Sequence, residues 1–231
     1  MQLCDLIDAV TEEIAVYPEL HGISTASIIK LLNEGQEEMA RELDIPRLYV
    51  QTDTAARIIT LPEGLRSNGL MWFEDDLGRR YQIYTINEAN QLFPQWETAE
   101  FGGVVVYNAH SMPRPPNPSL HVLPKDATAR FYRLEVAMRP MIMSRMEDSP
   151  FQVDEDISPT LSEFHIGLAY YAIWRLVVRA HSEAAMAKAP MFHAAYKKVK
   201  EGALSESLPD SILPKRRLYS EGLWRSHLLS G

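Results

Sequence analysis

Apolar residues at Leu3, Leu6, Ile7, Val10, Ile14 and Tyr17 recur at the spacing of one helical stripe. Pro18 and the His21-Gly22 pair end that stripe. A second helix follows, with Ser24 or Thr25 as N-cap and Ile28, Leu32, Met39 and Leu43 on one side, closed before Pro46. Gly35 falls on the same side, where it costs about 1 kcal/mol relative to alanine, so it marks either a close backbone approach or a plain kink. From about Leu48 to Arg139 the pattern shortens. Residues 57–61 read as a strand, and Leu70–Glu74 and Arg80–Tyr84 as a hairpin around Asp75-Asp76-Leu77-Gly78. Val104 to Tyr107, Leu120 to Leu123 and Ala129 to Val136 supply further strands, with a short helix, Glu88 to Phe93, capped by Asn87.

Helical spacing then returns. Ser158-Pro159 is an N-cap followed by proline at the first helical position. Leu161, Phe164, Leu168, Ala172 and Leu176 form one stripe of the helix it opens, and Ile166, Tyr170, Ile173 and Val177 form another. A helix apolar on two sides must be covered on both, which makes the second stripe the expected subunit interface. Ser182 to Lys200 predicts another helix, interrupted at Pro190 and finished by Gly202. The predicted fold is α+β: a helical bundle base with an inserted small antiparallel β-rich region and an extended C-terminal arm. Its divisions are residues 1–47 and 151–204 for the helical base, 48–150 for the β-rich insert and 205–231 for the arm.

Composition narrows the function. One cysteine, Cys4, excludes an internal disulfide and a four-thiolate metal site. Leu3 to Val10 is broken by Asp5 and Asp8 with no basic region before it, unlike a secretory signal, and the apolar run Ile166 to Trp174 is too short for a bilayer span, which predicts a chain kept in cytosol-like conditions away from membranes. The net charge of −8 is uneven: residues 1–100 carry 18 acids and 7 bases, and residues 101–231 carry 13 and 16. Such a balance disfavours tight binding to nucleic acid, whose affinity comes from Lys and Arg.

Motifs for chemistry are missing. There is no phosphate-cradling glycine loop, no His-Glu-x-x-His and no Gly-x-Ser-x-Gly, and the seven histidines show no metal-ligand spacing. His165 is read as a satisfied structural histidine more readily than as an acid–base group. Asp154-Glu155-Asp156 has two readings, a divalent-cation site of a metal-dependent hydrolase or a solvated linker before a helix N-terminus, and the second is preferred. Pro113 to Pro118 is a Pro-x-x-Pro loop, read as a stiff connector before a peptide ligand. The expectation is therefore a protein with no catalytic residue, metal or cofactor. In the arm, Arg216, Arg217, Leu218, Tyr219, Leu223 and Trp224 combine the residue types that dominate protein interfaces. The arm shows no helical or strand period and is expected to order only against a partner. A cytosolic module binding a peptide or protein is the alternative use of these features.

The segment Ile28–Leu43 (IIKLLNEGQEEMAREL) and the span Leu161–Gly202, with its Tyr171-Ala172 step and Phe192 and Tyr196 before Lys197-Lys198, resemble the head-to-tail adaptor proteins of short-tailed phages. The C-terminal arm fits the same pattern. The resemblance implies a structural virion protein without catalytic residues, assembled in the host cytoplasm and placed at the head–tail junction. Its implied partners are the portal protein, a tail or nozzle protein and further copies of itself, in a ring of twelve. DNA would pass through that ring without specific binding, as suits an acidic conduit.

Overall fold

The computed structural model describes residues 1–52, 58–61, 64–96, 104–108, 119–123, 131–153, 162–180 and 182–207. The chain divides into two compact units. One holds the described residues of Met1–Met39, Met143–Pro150 and Leu161–Gly231, and the other the described residues of Ala40–Ile142 and Phe151–Thr160. Helices and sheets occupy them in the α+β class expected.

The first unit is helical. Helix α1 (Leu3–Ile14) buries Leu3, Leu6, Ile7, Val10 and Ile14, the whole predicted stripe, and Tyr17 follows them into the core. Its free N-terminal amides are met in two ways. Gln2 N donates to Asp5 Oδ2 at 2.7 Å, while Leu3 N and Cys4 N donate to the carbonyls of Asp148 and Met146 at 2.8 and 3.1 Å. Helix α2 (Thr25–Leu43) starts at Ser24, whose Oγ accepts from Ser27 N at 3.3 Å. Asn33 on α2 clamps the segment after residue 142 from both sides: its Nδ2 donates to the Met143 carbonyl and its Oδ1 accepts from Met143 N, both at 2.9 Å. Gly35 proves to be a close approach, since a Cβ there would lie 2.7 Å from Tyr171 Cδ1.

The late helices are α4 (Ile166–Arg179), the single-turn α5 (Glu183–Met186) and α6 (Ala189–Ser207). Helix α4 packs against both α1 and α6. It begins later than its sequence signal: Ser158 and Pro159 lie outside the described residues, and a 3-10 turn, Ser162–Phe164, precedes it. Gly202 does not end α6. The helix runs to Ser207, and at Gly202 the missing side chain leaves room for Phe164 beside the backbone; a Cβ would meet its ring at 3.0 Å.

The second unit contains two sheets, β1 (Arg47–Gln51)–β7 (Tyr132–Met138)–β3 (Leu65–Asp75) and β2 (Ile58–Thr60)–β6 (Ser119–Leu123)–β5 (Val104–Asn108)–β4 (Gln82–Thr85). Leu70, Phe73, Leu134 and Val136 from the first and Ile59, Val105, Leu120 and Val122 from the second share one core. The second sheet buries its other face too: Val106 joins Tyr84, Ala89 and Trp96 beneath α3 (Ile86–Leu92). This explains the unbroken apolar run in β5, since a strand covered on both faces has no polar alternation.

Two expectations change here. The predicted hairpin does form its turn, with one bridge between Glu74 and Arg80, but its strands then part into different sheets. Strand β4 instead lies parallel to β5 across α3, the crossover that parallel neighbours require. The cap of α3 is Thr85, not Asn87: Thr85 and Glu88 form a capping box, with Thr85 N donating to Glu88 Oε2 at 2.7 Å.

Candidate functional site

The described side chains offer three arrangements. The first lies where α4 meets α6. Tyr171 and Tyr196 pack edge to face at 5.3 Å, and the Tyr196 hydroxyl donates to Glu38 Oε1 at 3.1 Å, tying α6 to α2. Burial, then the nearby Glu38 carboxylate, raises the Tyr171 phenol above its ordinary value, so it stays neutral. Outward from Tyr171, Trp174 stacks on His193 with ring centres 4.2 Å apart and planes 16° from parallel. The Arg175 guanidinium lies 5.6 Å from the Trp174 ring centre. Trp174, Arg175 and His193 are half-buried. This is a tryptophan and an arginine packed against aromatic neighbours and still partly open to solvent, the kind of group that anchors interfaces.

The expected interface residues lie on the same helix, α4. Ile173 is 3% exposed and Val177 0%, so the single chain already covers both, and they keep no surface for a neighbour. Ile166 and Tyr170 remain half-buried, and Val178 beyond them is 45% exposed. Sequence reasoning missed the Trp174–His193 stack because its members come from different helices.

The second arrangement covers the outward face of the β1–β7–β3 sheet. Tyr49, Glu135 and Trp72 stand in one cross-strand row, with Gln51, Arg133 and Glu74 in the next. Glu135 is buried and meets Arg47 at 3.4 Å, while Arg80 lies over Trp72 with 5.9 Å to the ring centre.

The third is the turn after β3. Asp75 is fully buried and accepts from Leu77 N at 3.0 Å, Arg79 N at 2.9 Å, Arg79 Nε at 2.6 Å and the Tyr81 hydroxyl at 3.0 Å. Burial alone would push the carboxyl up, but these donors outweigh it and hold it below the usual carboxylate range. Tyr81 moves the other way, its phenol raised by burial and by the Asp75 charge. This is a structural charge, not a reactive one, because every lone pair faces a fixed donor. A folded-state value below the unfolded one adds stability above the unfolded value of about 3.9, lost as pH falls through the folded value. Asp75→Asn is accordingly expected to cost about 1–3 kcal/mol at pH 7 and to flatten the acid limb of a pH–melting curve. A variant that melts like the natural chain at pH 7 would refute that role.

His165 lies in the core, 0% exposed, with Nδ1 3.2 Å from the Met1 carbonyl oxygen, a structural placement. Among the described residues no group of three or more His, Cys, Asp or Glu is placed to hold a metal ion, and no helix is long and apolar enough to cross a membrane. Asp154-Glu155-Asp156, the Pro113–Pro118 loop and the arm residues Arg216, Arg217, Leu218, Tyr219, Leu223 and Trp224 lie outside the described residues.

Comparison with known families finds a match to the model described as SU10 adaptor protein, over residues 1–212 of 231. That span takes in every described residue of both units and stops short of Arg216. No curated protein matches the chain.

Proposed function

The chain belongs to the SU10 adaptor protein family, a phage head-to-tail adaptor family, and from that premise we propose that it forms a ring joining the portal vertex to the tail and continuing the DNA conduit. The observation that carries this reading is the family match, which spans both units without a break. The protein acts as a structural part of the virion and not as an enzyme. The ring holds twelve copies, assembled in the host cytoplasm, with the tail or nozzle protein on one side and the portal on the other. Arg216, Arg217, Leu218, Tyr219, Leu223 and Trp224 dock on the portal. Ile166 and Tyr170, on α4 with Trp174, contribute to the contact between copies. The net charge of −8 per chain supports a passage that repels the phosphate backbone at short range.

Electron microscopy of the full chain mixed with purified portal oligomers tests this directly. A closed ring of copies coaxial with the portal is expected. A single bound copy, or none, ends the reading.

A further inference from the structure

The helical unit carries opposite charges on two of its outer faces. Helices α1 and α6 each pack on α4, so their outward sides are separate surfaces. On α1 the exposed side shows Asp5, Asp8, Glu12 and Glu13 and no basic residue. On α6 it shows Lys197 and Lys198, flanked by exposed Met191 and Leu204, with Glu201 as the acid among its described exposed side chains. Asp8, Glu12, Lys197 and Lys198 form no ion pair with any described residue.

We propose that these two faces are the two halves of one contact between neighbouring copies, with Asp8 and Glu12 of one copy against Lys197 and Lys198 of the next. The inference rests on the ring reading above and names the surfaces that would close it. A ring of identical subunits needs two different patches that fit each other, unlike the self-matching patch of a two-fold dimer. A face that is wholly acidic cannot meet its own copy without repulsion, whereas it fits the lysine face of α6. Complementary charge of this kind sets orientation and partner choice more than affinity. The exposed Met191 and Leu204 supply apolar area beside the lysines.

The test uses three full-length variants: Asp8→Lys with Glu12→Lys, Lys197→Glu with Lys198→Glu, and all four together. The sites are exposed, so melting temperatures should stay near that of the natural chain. Copies retained per portal oligomer are then counted by cosedimentation. Each two-site variant should retain about one tenth of the natural number or fewer. The four-site variant should recover at least half, as should an equal mixture of the two-site variants, because each then presents the face the other lost. Full retention by a two-site variant, or no recovery in the four-site variant, overturns the contact. If the natural chain binds in many copies but no recovery appears, the ring stands and only this interface falls. A natural chain bound as one copy removes both.

Discussion

Ile173→Asp is expected to unfold the helical unit, whereas Tyr170→Asp leaves it folded. The two residues sit three apart on α4 and read alike in sequence, yet Ile173 is 3% exposed and Tyr170 is half-buried. At Ile173 the change removes a buried side chain worth about 1.5–3 kcal/mol. It also puts a carboxylate where burial without a partner costs several kcal/mol more. Together these approach the whole stability of a typical domain, about 5–15 kcal/mol. The Tyr170 variant can turn its carboxylate to water, so its stability should change by about 1 kcal/mol or less. Its effect should appear only as weaker association between copies. Circular dichroism melting separates the two. Native-like melting of Ile173→Asp would contradict the packing of α4, and normal ring assembly by Tyr170→Asp would remove Tyr170 from the contact.

Deleting residues 208–231 should leave the melting of the remaining chain unchanged and reduce attachment to portal oligomers at least a hundredfold. The cut follows Ser207, the last residue of α6, so that no helix is shortened. Leu218, Tyr219, Leu223 and Trp224, the apolar side chains proposed to dock on the portal, leave with it. Each is worth about 1.5–3 kcal/mol when fully buried, less the entropy of ordering the segment at about 1–2 kcal/mol per residue. The net per arm is small, but a ring repeats it, and multivalency turns a modest affinity into tight attachment. Trp224→Ala should show the same defect more weakly, by about tenfold, since tryptophan often dominates such contacts. The proposal would be falsified by a truncated chain that cosediments with portal oligomers as well as the full chain does.

Much of the helical unit was legible in the sequence. Leu3, Leu6, Ile7, Val10 and Ile14 on α1 and Ile28, Leu32 and Met39 on α2 are buried as their spacing required, because a stripe repeating every 3.6 residues has only one side to hide. The turn at Asp75 was legible for a similar reason, since a short acidic side chain can accept from backbone amides a few residues on. Strand partners were not. Strand β1 (Arg47–Gln51) passed unnoticed, and β4 joined β5 in parallel instead of β3, because pairing is chosen by which faces need covering across the unit and not by the turn between two strands. The capping of α3 was misplaced at Asn87 because both Thr85 and Asn87 have the right chemistry, and only the reciprocal bond with Glu88 selects Thr85.

By itself, then, the amino-acid sequence determined the class of fold, the positions of the main helices and the apolar character of α4 on two sides. What covers those sides was decided only in three dimensions. Ile173 and Val177 are closed off within the chain, Gly35 receives the Tyr171 ring, and Trp174 meets His193 from another helix. The physical reason is that apolar surface gains the same free energy whether its own chain or a neighbouring molecule removes it from water. Periodicity therefore reports that a face must be buried, and tertiary packing decides by what.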